Sequence, residues 1–560
     1  MRRHFASLLL FAFVAGAAAA DAPDMRRTKK LIATGWDKPT AARLRENLEL
    51  MEQRPFDGVV IEIEGRVDAK KTCRMRAAFS SERWGREWFA DSVADLKACK
   101  FKRFTDNFIT VGANPGNVDW FDDEGWRQIV EHWRIAAWLA RQTKLKGILF
   151  DPEPYTPPHA QFRYAAQPQR DRHTFEEYCA KARQRGAEVM HAVAEEYPNL
   201  TIFCYFMNVV NATATGAADP RPLLAGSHYG LYAPFVDGWF DAAPTTVTLV
   251  DGCEMGYRFN SEREYLEAAL KIKGDCQELV APENRAQYRA QVQVSFGIYL
   301  DAYWNPPTSP WFIDGKGGSR VARLGANVTT ALRVADEYVW VYGEKFRWWP
   351  TPNRGVKNET WEEALPGCED AFRFARDPIE WGRAKLASEK LVNLARNGDF
   401  GSERAVTSDG AEVKWKEGRA PAGWSTWQTK DSHGVFTWDR EVGAAGKGSA
   451  RAANVAEGCF IQSGAAKPGE RYAVAVVCRL QGRGDARIRV RWQTPGGKWT
   501  AEELDKVFVV SGSRGEWREG LGVVTVPETA GKLVVLLGVS GQQSADDIAW
   551  FDDVRISKLE

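Results

Sequence analysis

The sequence predicts a closed (β/α)8 barrel, the TIM-barrel architecture, over residues 29–388, followed by an all-β sandwich over residues 391–560. Three observations carry this. Eight apolar stretches between Leu31 and Gly343 alternate with stretches of helical period, the pattern of a parallel sheet closed on itself. The first region is long enough for such a barrel with insertions, about 250 residues being typical. Past Leu391 the chain turns to short alternating runs separated by Gly, Ser, Asp and Pro, the texture of a sandwich.

The first strand, Leu31 to Trp36, precedes a helix with Leu44, Leu48 and Met51 at i, i+4 and i+7. DGVVIEIEG is the second strand; an irregular insertion follows, then a helix bearing Phe89, Val93 and Leu96. RFTDNFITVG is the third, leading to a long helix around Trp126 to Leu139. The fourth is KGILFDPEPY. Proline cannot donate to a sheet ladder, so this strand must stop near Pro152. A helix from Thr174 to about Glu196 comes next. TIFCYFMNVV, VTLVDG, QVSFGIYLDAYW and EYVWVYG are strands five to eight, with helical segments near Leu266, Leu324 and Trp361 after the last three. An open doubly wound sheet would carry a glycine-rich phosphate loop after its first strand, and GWDKPT is not one. GWSTW, GVFTWDREV, RYAVAVVCRL, ARIRVRWQT, KLVVLLGVSG and IAWFDDVRIS supply the sandwich strands.

Residues 1–20 read as a secretory signal peptide: a basic start, a short apolar core and Ala18-Ala19-Ala20 before Asp21. No Cys follows that site, so a lipid anchor is not indicated, and the expected location is secreted or periplasmic. No later run is apolar enough for a membrane span. A formal net charge of +1 gives no reason to expect nucleic acid as a partner. The seven His and nine Cys show no metal-ligand spacing, so neither a metal nor any other cofactor is expected. Cys459 and Cys478 both lie in the last quarter of the chain and are a candidate pair, which sequence alone does not decide. The 23 Trp suit core packing first, and stacking on the apolar faces of sugars second.

In barrels of this kind reacting groups come from the C-terminal ends of strands. Those ends carry Trp36, Glu62 and Glu64, Asn107, Asp151 and Glu153, Asn208, Glu254, Asp301 with Tyr303 and Trp304, and Glu344. Asp151 and Glu153, two apart, point to one side of their strand. An acid-lined cup with aromatic walls, Trp304, Trp340 and Tyr342 among them, suits glycoside hydrolysis by paired carboxylates. On this reading Glu153 is the proton donor, Asp151 tunes it, and Glu344 or Asp301 is nucleophile or base. The bland alternative for Asp151 and Glu153 is a salt-bridged strand end.

GILFDPEPY resembles the fourth-strand motif of chitinase-like barrel glycosidases, in which an Asp two residues before a Glu orients that acid and a Tyr stands close behind. The resemblance implies the same donor, Glu153, and a substrate contact at Tyr155. NLARNGDF, PAGWSTW and the closing WFDDVRI resemble the jelly-roll carbohydrate-binding modules of secreted polysaccharide-degrading enzymes. That implies a glycan partner, with Trp424, Trp427, Trp438, Trp492 and Trp499 as candidate contacts. The expectation is therefore a secreted glycoside hydrolase acting on a carbohydrate substrate. The alternative is a catalytically silent glycan-binding protein; a lyase fits less well, because no Lys, His or metal base marks the strand ends.

Overall fold

The computed structural model describes residues 25–155, 160–406, 412–416, 418–510 and 513–559. The expected signal peptide lies outside them. The chain divides into two compact units, Met25–Arg376 and the region from Asp377 onward. The helix Pro378–Ser388, which sequence reading attaches to the barrel, belongs to the second unit.

The first unit is mixed α/β. Nine parallel strands, here β1 (Lys30–Gly35), β2 (Gly58–Ile61), β3 (Phe108–Gly112), β4 (Gly147–Asp151), β5 (Thr201–Cys204), β6 (Thr248–Asp251), β7 (Val292–Val294), β8 (Phe296–Tyr299) and β9 (Tyr338–Gly343), form one sheet in the order β8-β9-β1-β2-β3-β4-β5-β6-β7. Its two ends, β7 and β8, are neighbours in sequence separated only by Ser295, so the sheet nearly closes on itself. Sequence reading had one seventh strand here. The break falls at Ser295, whose N–H makes the last rung of the ladder to β6, donating to Asp251 O at 2.9 Å, before β8 pairs with β9 instead.

Side chains of non-adjacent strands meet inside the sheet. Phe108, Phe203 and Tyr338 form a trio with ring centroids 5.5–5.7 Å apart. One step toward the strand C-termini, Tyr205 stacks on Trp340 at 4.5 Å, and its hydroxyl shares a 2.7 Å hydrogen bond with Thr34 Oγ1. These layers make a floor rather than a pore. Gly35 ends β1 at φ +108°, in register with Gly343, and a Cβ built there would stand 2.2 Å from Gly343 O. Only glycine fits.

The helix after β5, Tyr232–Ala242, lacks a polar stripe because eight of its eleven residues are buried. Packed against Phe175–Glu196, it has no wet face for the sequence to advertise. Thr174 opens that partner helix with a capping box to Glu177.

The second unit carries two five-stranded antiparallel sheets. Phe460, from one sheet, meets Phe436 and Phe551 of the other at 5.0 and 6.1 Å, which makes them the two faces of one core. The nine cysteines are free, Cys459 and Cys478 included.

Candidate active site

The strand C-termini of the first unit open onto a cavity of about 1120 Å³. Five carboxylates line it: Glu62 after β2, Asp151 and Glu153 at the end of β4, Glu254 after β6 and Glu344 after β9. Trp36, Tyr155 and Tyr342 line it too. Eight of the fifteen strand-end candidates therefore share one space.

β4 stops as its prolines require, and the turn beyond is tied down from β3. Ala113 N–H donates to Asp151 O at 2.8 Å; Asn114 accepts from Tyr155 N–H at 3.1 Å and donates to Glu153 O at 3.4 Å. Asp151 Oδ1 accepts from Glu153 N–H at 3.1 Å, and the Tyr155 hydroxyl donates to Glu153 Oε2. Burial, reinforced by the charge of Glu153, pushes the Asp151 carboxyl up to about 7. No cation lies within 4.0 Å of either acid among the described residues, so this is not a salt-bridged strand end. Lys38 lies nearby, pulled below its ordinary value by burial while Glu62 and Asp151 favour its charge.

Glu254 follows a left-handed turn at Cys253. Burial, then the charges of Glu153 and Asp151, raise it to about 8. Two carboxyls in the cavity thus hold protons near neutral pH, each for a reason visible in its surroundings.

The remaining candidates lie elsewhere. Asp301 is fully buried below the cavity: Oδ2 accepts from Glu344 N–H at 2.8 Å, and burial raises it to about 6. It holds the backbone of Glu344 and does not line the cavity. Asp251 does the same for Glu254's turn, accepting from Met207, Val209 and Cys253 N–H at 2.9–3.3 Å. Trp340 belongs to the floor, its Nε1 donating to Gly252 O at 2.7 Å. Asn107 precedes β3 instead of ending it, and its amide bridges Val59 N–H and Phe104 O. Glu64 sits on a short hairpin paired to Arg74 at 2.8 Å. Tyr303 is buried against Asn327, and Trp304 lies under the ammonium groups of Lys345 and Lys357. Asn208 is fully buried and outside the lining, though its neighbours Val209 and Val210 belong to it.

Sequence reading missed one wall. Tyr257 stacks on Tyr299 at 4.9 Å, and Trp311 meets both edge-on at 6.0 and 5.6 Å. Arg258 lies over the Trp311 ring at 4.3 Å. Tyr257 and Arg258 end a single 3-10 turn, Glu254–Arg258, and Trp311 lies in a loop, both beyond the strand ends where no periodicity marks them. On the floor side Thr110 is buried, with its Oγ1 unpartnered among the described residues.

Among the Trp candidates of the second unit, Trp424 and Trp492 are buried, Trp438 lies under Arg440, and Trp427 and Trp499 are exposed. A second cavity of about 650 Å³ opens beside Trp415 and Trp424. Among the described residues no three His, Cys, Asp or Glu side chains converge as a metal site would need, and no helix is long and apolar enough to cross a membrane.

No protein-family model matches the chain, and no curated protein matches it. Solved structures give partial likenesses. One is the enzymatically active domain of bacteriophage CBA120 tailspike protein 4, at 15% identity over 30% of this chain and 21% of that one, TM-score 0.23. A carbohydrate-binding module, CBM4, matches at 16% identity over 29% of this chain and 99% of its own, TM-score 0.21. The CBM22-1–GH10 modules of a Clostridium thermocellum endo-1,4-β-D-xylanase, complexed with xylohexaose, match at 17% identity over 24% and 26%, TM-score 0.19. The chain thus spans only about a fifth to a quarter of the tailspike and xylanase structures.

Proposed function

We propose that the first unit is a glycoside hydrolase whose reacting groups are the carboxylates of this cavity. The observation that carries the reading is a set of five acids around one open space with an aromatic wall, two of which burial and neighbouring charge hold above the ordinary carboxylate range. Glycosidic cleavage needs an acid that still has its proton and a carboxylate facing it. The Asp151–Glu153 pair is the donor side. The proton that Asp151 retains passes through Glu153 to the departing glycosidic oxygen, which leaves both as carboxylates. Glu344, fixed through its backbone by Asp301, is the opposing base or nucleophile. Water supplies the hydroxyl taken by the anomeric carbon, and its remaining proton returns to a carboxylate. Separation of the reacting oxygens sets the outcome, about 5–5.5 Å for retention and roughly 6.5–9.5 Å for inversion.

The same proposal takes the parallel sheet as a (β/α)8 barrel, with β7 and β8 as halves of the seventh strand. It takes the second unit as a jelly-roll carbohydrate-binding module and residues 1–20 as an export signal.

A second assignment within the cavity is favoured by Glu254, which keeps its proton to the higher pH and would itself be the donor. Hydrolysis of a glycan library by wild type, Glu153→Gln and Glu254→Gln tests both. Loss of turnover with binding retained in Glu153→Gln supports the first assignment; the same result in Glu254→Gln alone supports the second. Binding without turnover by wild type on every glycan would leave a silent glycan-binding protein.

A further inference from the structure

The cavity holds both signs of charge, with Lys38, Arg76 and Arg258 in its lining. Lys38 is buried, and Glu62 and Asp151 favour its charge without closing an ion pair. Arg76 and Arg258 are exposed and, among the described residues, have no ion pair and no side-chain hydrogen bond; Arg258 alone of the three lies over an aromatic ring of the wall. What holds it is the Trp311 ring, 4.3 Å from the guanidinium carbon. Trp311 in turn stands edge-on to the Tyr257–Tyr299 stack. One side of the cavity is therefore an aromatic wall with an unpaired cation at its margin.

We infer that this wall is a subsite for a sugar carrying an anionic substituent, a carboxylate or a sulfate ester, which the Arg258 guanidinium binds while the ring lies on the aromatic platform. The inference rests on the glycan-cleaving reading of the cavity and narrows its substrate to acidic glycans. The planar guanidinium fork matches a carboxylate or sulfate in two parallel hydrogen bonds, which a neutral hydroxyl cannot use fully. Stacking on Trp311 orders the fork before the ligand arrives. Protons retained on Asp151 and Glu254 lower the repulsion an anion would meet in an acid-lined cavity.

The test is calorimetric binding by the full chain carrying Glu153→Gln, with and without Arg258→Gln. The probes are length-matched oligosaccharides: neutral xylo- and cello-oligosaccharides, uronate oligosaccharides and sulfated galactan oligosaccharides. The inference expects at least one anionic series to bind tenfold or more tightly than the neutral ones, with affinity falling as salt rises. Arg258→Gln should collapse that ratio toward one, and Arg258→Lys should restore part of it. The uronate and sulfated arms tell which anion is meant. Neutral series binding as tightly as both anionic ones, or an unchanged ratio in Arg258→Gln, overturns the inference while leaving hydrolysis of neutral glycans intact. Anionic preference without turnover by the wild type leaves the subsite standing and refutes hydrolysis instead.

Discussion

Glu254→Gln should make the first unit more stable at high pH. The wild-type carboxyl is raised from 4.5 to about 8, first by burial and then by Glu153 and Asp151. In the unfolded chain it ionises near 4.3. Between these values the folded protein keeps a proton that the unfolded chain has released, so wild-type stability falls as pH rises through this window. Below it both states are protonated and nothing is lost. Ionisation moved from near 4.3 to about 8, at 1.36 kcal/mol per pH unit, gives an upper bound of about 5 kcal/mol. The cavity is open to water and its acids titrate together, so roughly 2 kcal/mol is the expected size. Glutamine keeps the shape without the charge. Urea denaturation of wild type and variant at pH 5 and pH 8.5 measures the gap, and the second unit is common to both. The gap should be small at pH 5 and favour the variant by roughly 2 kcal/mol at pH 8.5. A gap independent of pH, or a variant less stable at pH 8.5, would refute the view that this acid is held against its neighbours.

Three further outcomes follow from the geometry. Asp301→Ala removes the acceptor for Glu344 N–H and should cut turnover at least about tenfold, whereas Asp301→Asn keeps an acceptor oxygen and should restore most of it; kcat of the two variants decides. Gly35→Ala places a Cβ against Gly343 O at φ +108° and should destabilise the first unit by roughly 2–5 kcal/mol, read from its unfolding midpoint. Phe460→Ala empties the contact between the two sheets of the second unit and should cost about 3–5 kcal/mol there, with hydrolysis of a soluble oligosaccharide unchanged.

Much of the first unit was legible because its strands are short apolar runs, and Pro152 marks the end of one without ambiguity. What sequence did not distinguish was depth. Asp301 and Glu344 both end strands, yet the shorter side chain stops at a neighbouring backbone N–H while Glu344 lines the opening. Asp251 and Glu254 repeat the difference. Trp340 and Tyr342 share a face of β9, and two residues of rise separate floor from wall. Asn107 was misplaced because RFTDNFITVG pairs only from Phe108, leaving Asn107 at the wrong end of the strand. The Tyr257–Trp311 wall was invisible because a single turn and a loop bring it together, and neither has a period to read. The helix Tyr232–Ala242 was missed because it is wrapped by protein and shows no polar stripe.

Steady-state hydrolysis of acidic and neutral glycan libraries by the wild-type chain, set beside Glu153→Gln, is the most direct measurement. The account predicts release of new reducing ends from at least one glycan, lost in the variant while that glycan still binds. Equal turnover by Glu153→Gln, or reducing ends released by neither protein, would contradict it.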